Sequence, residues 1–192
     1  MRGFLGGILV TLLALLGVVF LVISFALFPL GADNPPGALE RRLAHTATDK
    51  YLAKNAPKQE NPFPPTSKNL IEGAQKYEAH CAVCHGGAAS RVSALQNKFS
   101  PPVPQLIDRV PDDPDAEFWL ITKHGYRLTG MPAWDGILSD DEIWKVIAFV
   151  KHTDKLPSEA QAAWRAAAGL ASKNDYMFPG VGSDGQERAP RL

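Results

Sequence analysis

The sequence predicts an all-α protein, a helical domain behind a single N-terminal transmembrane helix. Three observations carry this reading. Phe4 to Phe28 at the front contains no charged residue. Behind it, apolar residues recur at three- and four-residue spacing between helix-starting and helix-ending signals. No stretch shows the two-residue alternation of a half-buried strand.

The apolar run would be about 37 Å long as a helix at ~1.5 Å per residue. That crosses a bilayer core of ~30 Å with some tilt. Pro29, Gly31 and Asp33-Asn34-Pro35-Pro36 end it. A cleaved signal peptide would have a shorter apolar core and a small-x-small site behind it. Phe25-Ala26-Leu27-Phe28-Pro29-Leu30 is a poor cleavage context. Residues 1–30 are therefore read as an uncleaved signal-anchor. Arg2 on one side, and Arg41 and Arg42 further along on the other, give only a weak orientation signal.

Residues 31–65 read as a linker bracketed by Pro35-Pro36 and Asn61-Pro62-Phe63-Pro64-Pro65. Between these patches Ala38 to Asn55 is expected to be helical, lying on the membrane surface or on the domain. Residues 66–155 form the predicted domain. Thr66 or Ser67 caps its first helix, which runs through Tyr77 to Cys84. Gly73 inside that helix costs ~1 kcal/mol against Ala, a sign that another helix approaches closely. A second helix spans Asp115 to His124, with acids at its positive end and Gly125 behind it. A third begins at Ser139, where Ser139-Asp140-Asp141-Glu142 is a capping box. Ile143, Ile147 and Val150 line one face, with Trp144 and Val146 beside it. In residues 156–192, Ser158 to Ser172 is an Ala-rich helix, and a loosely ordered tail follows from Asn174.

Composition excludes several function classes. Twenty basic residues balance 20 acidic ones, so no basic field points to nucleic acid. No Gly-rich phosphate loop or Ser-centred nucleophile motif is present. Asp112, Asp113, Asp115 and Glu117 would steer a basic partner, but they also suit a helix start.

The chemistry lies in Cys81-Ala82-Val83-Cys84-His85, which holds the 2 cysteines of the chain. Two thiols three positions apart, followed at once by an imidazole, is the spacing of covalent c-type haem attachment. On a helix, i, i+3 and i+4 share a face, so one turn offers two sulfurs to haem vinyl groups and one nitrogen to iron. Structural zinc would need more Cys or His ligands than one pair supplies. A thioredoxin-like dithiol would need a βαβ setting, and a disulfide would close only a tiny loop within a helix. One motif means one haem c. Thioether formation belongs to exported chains, which puts the C-terminal part outside the cytoplasm.

Iron held by His85 has one more axial position. Met131, Met177, His45, His80, His124 and His152 are the candidates. Met131 is favoured because Gly130-Met131-Pro132 must be loop, Pro132 having a fixed φ and no N–H. Core filling is the alternative role for this methionine, and His124 is the next candidate ligand. His80 is expected to be exposed and to point away from the ligating face.

These residues resemble the monohaem class I c-type cytochromes over about residues 66–155. The resemblance rests on Gly73 and Tyr77, then Cys81-Ala82-Val83-Cys84-His85-Gly86, a Pro-rich stretch, Gly130-Met131-Pro132, and a capped helix with Ile143-Trp144. It implies the class I cytochrome c fold, helices around one covalently bound haem. It also implies thioethers at Cys81 and Cys84, iron ligation by His85 and Met131, and a proline carbonyl on the His85 ring, from Pro101, Pro102 or Pro104. With both axial positions filled, no small-molecule substrate meets the iron. The expected function is one-electron transfer between redox protein partners, not catalysis. The expected protein is a single-pass carrier in a bacterial cytoplasmic membrane, with its haem domain in the periplasm. The alternatives are a fixed haem subunit of a larger oxidoreductase, or a haem sensor or peroxidase with an open iron site.

Overall fold

The computed structural model describes residues 2–25, 27 and 30–174. Helices α1 (Arg2–Ser24), α2 (Ala38–Asn55), α3 (Ser67–His80), α4 (Ala82–His85), α5 (Asp115–His124), α6 (Asp140–Lys151) and α7 (Ser158–Asn174) follow in order. Among the described residues there is no strand, apart from an isolated bridge between Asp135 and Leu138. The all-α expectation therefore holds.

Within α1, Gly3–Ser24 is long and apolar enough to cross a membrane, and none of it is buried in the protein. α1 ends at Ser24, and the Phe25 and Leu27 amides still donate backward to the Leu21 and Val22 carbonyls at 3.0 Å each. α2 has the expected bounds. Its first turn is closed by Glu40, whose carboxylate accepts the Gly37 N–H at 3.3 Å.

Of the two possible caps for α3, Thr66 is the one used: its side chain accepts the Asn69 N–H at 3.4 Å. Leu70, Gly73, Ala74 and Tyr77 form the buried stripe, at helical spacing. The Ser139 capping box of α6 is complete. Glu142 N–H donates to Ser139 Oγ at 3.3 Å, and Ser139 N–H donates to Glu142 Oε2 at 2.8 Å.

α3 and α6 cross at Gly73. A Cβ placed there would lie 2.1 Å from the Lys145 carbonyl oxygen, so the two backbones touch. Ion pairs flank the crossing, Lys76 with Glu142 and Lys145 with Glu72, both at 2.6 Å. Tyr77, Phe149 and Val150 are fully buried here, and Ile107 joins them from the loop before α5. Trp134, Leu138, Ile143, Trp144 and Ile147 form a second cluster, with Phe118 and Trp119 of α5 against it. α6 is buried on more sides than its expected stripe. Ala148 and Phe149 are covered too, because α7 brings Ala160 and Trp164 onto them.

The α3–α6 clamp has a pH signature. Lys76, and the backbone N–H and hydroxyl of Ser139, hold the Glu142 carboxyl down from 4.5 to about 2. A depressed carboxyl stabilises the fold above its unfolded value and ceases to do so as pH falls through the folded one. Stability is thus expected to decline between pH 4.5 and about 2 in part through this group. The pair is partly exposed, so its share is at most ~1 kcal/mol. Urea titrations across that range check this, because Glu142→Gln should flatten that part of the profile.

Candidate functional site

Cys81 sits where α3 ends and α4 begins. The expected single helix to Cys84 is interrupted there, at φ −110° and ψ −34°. The Cys84 and His85 amides both donate to the Cys81 carbonyl, at 3.1 and 2.9 Å. Cys81, Cys84 and His85 therefore occupy one tight turn, as their spacing predicts. Gly86 ends it at φ 82°, where a Cβ would lie 2.1 Å from the Arg91 carbonyl oxygen. Tyr77 of α3 braces the turn from beneath, its hydroxyl donating to the Gly86 carbonyl at 2.7 Å.

Both thiols are free of disulfide. Burial pushes Cys81 up to about 12, with Cys84 and Glu78 adding to the shift, and burial also raises Cys84. A reactive dithiol needs the reverse, a lowered pKa that exposes thiolate. The turn is not built for thiol–disulfide exchange.

His85 Nδ1 lies 2.8 Å from the Pro104 carbonyl oxygen. A carbonyl only accepts, so Nδ1 carries the proton and Nε2 keeps its lone pair. Burial lowers the ring's pKa against the opposing effect of this bond, which favours the neutral, ligating form. The structure thus selects Pro104 from the three prolines. Two side chains that the motifs did not flag fix the proline segment. Gln105, buried, donates to the Cys84 and Val103 carbonyls at 3.2 and 2.9 Å and accepts the Ser93 N–H at 2.6 Å. Arg91 donates to the Ile107 carbonyl. A glutamine and an arginine in loops carry no spacing signal, so only the fold reveals these roles.

Met131 is half-buried in the loop between α5 and α6. Its carbonyl accepts the Tyr126 N–H at 3.2 Å, and its own N–H donates to Thr129 Oγ1 at 3.1 Å. Gly130 lies against the Phe99 ring, 2.3 Å from where a Cβ would sit. Beyond Met131, Trp134 stacks at a tilt on His80, with ring centroids 5.2 Å apart. The Met131 segment is therefore held between two contacts, one to each side of the Cys-His turn in sequence. His80 is half-buried rather than exposed because Trp134 folds back over the end of α3.

The other candidate ligands are placed differently. His45 and His124 are exposed, and His152 Nδ1 is 2.8 Å from the Ala148 carbonyl of its own helix. Met177 lies outside the described residues. Lys151 donates to the Pro111 carbonyl at 2.7 Å and pairs with Asp115 at 3.9 Å, so part of the acidic cluster has a structural role. Trp119 stacks on Trp144 at 5.6 Å, and its Nε1–H is buried with no partner among the described residues.

Residues 68–150 match a family described as cytochrome C oxidase, cbb3-type, subunit III. A cytochrome c6 from Tetradesmus obliquus is 34% identical over 85 residues, which is 44% of this chain and 90% of that protein. A cytochrome c6 from Bryopsis maxima is 32% identical over 83 residues, 43% of this chain and 89% of that protein.

Proposed function

The chain belongs to the class I c-type cytochromes, and from that membership we propose that it is a membrane-tethered one-electron carrier whose haem iron is held by His85 and Met131. Covalent haem c and haem-based electron transfer come with the family. The finer reading is carried by one observation, the bond from His85 Nδ1 to the Pro104 carbonyl, which leaves a neutral Nε2 as a ligand. Cys81 and Cys84 take the two thioethers, being free and on the same turn. Trp119 offers a buried indole N–H that a propionate carboxylate would satisfy.

The haem supplies a one-electron Fe(III)/Fe(II) couple. The chain's residues do the rest. Pro104 and Gln105 fix the imidazole and the turn that bears it. Tyr126 and Thr129 hold the backbone of Met131, whose thioether sulfur favours the ferrous state. With His85 and Met131 both holding the iron, no position would remain for a substrate. Val83, between the two cysteines, and Leu128, on the Met131 loop, are exposed at 50% and 92% and give a protein partner apolar contact.

The test is carbon monoxide binding to the reduced protein. It should be slow in the native chain and become rapid in Met131→Ala, where the sixth position opens. Rapid binding in both would refute Met131 as the ligand.

In this reading residues 1–30 anchor the chain, 31–65 link, and 66–155 form the haem domain on the periplasmic side of a bacterial cytoplasmic membrane, with 156–192 behind it. The apolar, unburied α1 supports the anchor. One observation favours a second reading, a fixed subunit of a larger oxidoreductase: the matched family's description as an oxidase subunit. Purification in mild detergent separates the two. A free carrier comes alone, whereas a fixed subunit brings partners in constant stoichiometry.

A further inference from the structure

Helix α2 lies outside residues 68–150, which carry the family match, yet it reaches the loop that bears Met131. Its exposed residues include Leu39, Leu43 and Tyr51. Two residues one turn apart face the domain instead: Thr48 is half-buried, and Leu52 is 6% exposed. The Thr48 hydroxyl meets the Tyr126 hydroxyl across this contact.

The direction of that bond follows from the other bonds Thr48 makes. Thr48 Oγ1 already donates to the Ala44 carbonyl of its own helix at 2.9 Å. A hydroxyl has one proton, so Thr48 accepts and Tyr126 donates.

Tyr126 is also the hub of the Met131 loop. Its N–H donates to the Met131 carbonyl at 3.2 Å. Its carbonyl accepts from the Thr129 N–H at 3.2 Å and from the Thr129 hydroxyl at 2.7 Å. Thr129 Oγ1 in turn accepts the Met131 N–H at 3.1 Å. Just before it, Gly125 at φ 68° lets the strands of the loop close: a Cβ there would lie 2.6 Å from Ala133 N and 2.8 Å from the Met131 carbonyl oxygen. The neck of the loop is thus fixed by backbone bonds that converge on Tyr126, while the Tyr126 side chain is held by α2.

We propose that α2 is a positioning element for the distal ligand: Thr48 holds Tyr126, and Tyr126 holds Met131 against the iron. Thr48 and Tyr126 are positioning residues, acting on the site through Met131. The segment joining the membrane anchor to the domain thereby governs how readily the methionine leaves. This rests on the reading of Met131 as the sixth ligand.

The experiment uses the full-length holoprotein in detergent, with imidazole as the probe. Two readouts are taken: the Met–iron charge-transfer band of the ferric protein, and the rate at which imidazole displaces the methionine. Loss of one hydrogen bond predicts that Thr48→Val and Tyr126→Phe each accelerate displacement by about fivefold. The double variant should be no faster than either single one, because both remove the same bond. Thr48→Ser should restore the native rate. A native band with unchanged rates in Thr48→Val and Tyr126→Phe overturns the role of α2. A native protein without the band, taking up imidazole as an open site does, overturns the Met131 assignment and this inference with it.

Discussion

Gly73→Ala is expected to destabilise the domain by about 3 kcal/mol, near the upper end of overpacking costs. The added methyl would sit 2.1 Å from the Lys145 carbonyl oxygen, 2.7 Å from its carbon and 3.0 Å from Phe149 Cβ. A backbone carbonyl inside α6 cannot rotate away without losing its helical bond. α3 and α6 must therefore separate, loosening Tyr77 from Phe149, whose rings are 5.3 Å apart, and stretching the Lys76–Glu142 and Lys145–Glu72 pairs. Alanine's better helix propensity returns only ~1 kcal/mol. Against typical domain stabilities of ~5–15 kcal/mol, the net loss is large. Urea denaturation of the holoprotein measures it. Gly169→Ala is the matched control, since nothing lies within 4 Å of a Cβ there. It should gain up to ~1 kcal/mol from propensity. Equal gains at both sites would contradict the close crossing.

The close crossing was legible because a glycine inside a helix demands a reason, and backbone contact is the commonest one. The capping box at Ser139 and the bounds of α2 and α5 were legible on similar grounds, since caps and periodicity act within a few residues. The Cys81–His85 turn is also local, so its geometry could be read from spacing alone. Longer-range choices were not available. Selecting Pro104 over Pro101 and Pro102 requires the return path of the loop after Gly86, which the Leu106 amide fixes by donating to the His85 carbonyl at 3.1 Å. The half-buried state of His80 depends on Trp134, which is distant in sequence. Thr48 gave no signal, because a threonine on a polar helix is ordinary until its partner is known. The Ala-rich segment read as a helix, but nothing in its composition indicated that Trp164 enters the core.

Trp164→Ala is the second large effect, an expected loss of about 3–5 kcal/mol from truncating a buried aromatic. Trp164 is 7% exposed and meets Phe149 edge-on at 5.1 Å, so its removal leaves a cavity beside the α3–α6 crossing. A second cost is polar. Its Nε1–H donates to Glu78 Oε2 at 2.6 Å, and the same oxygen accepts the Ala88 N–H at 3.2 Å. Glu78 is itself 9% exposed, so losing the indole leaves a buried carboxyl oxygen short of a donor, worth about 1–3 kcal/mol. Trp164→Phe separates the two costs, keeping most of the ring while deleting the donor, and should lose only that second amount. Combining it with Glu78→Gln tests the coupling through a double-mutant cycle. Glu78 also lines the loop after the Cys81–His85 turn, 2.7 Å from where a Cβ on Gly87 would sit. Amide exchange at Ala88 should therefore quicken in Trp164→Phe, carrying the effect from α7 to the edge of the site. A loss below ~1 kcal/mol in Trp164→Ala, with Ala88 unchanged, would make α7 an appendage rather than a wall of the haem domain.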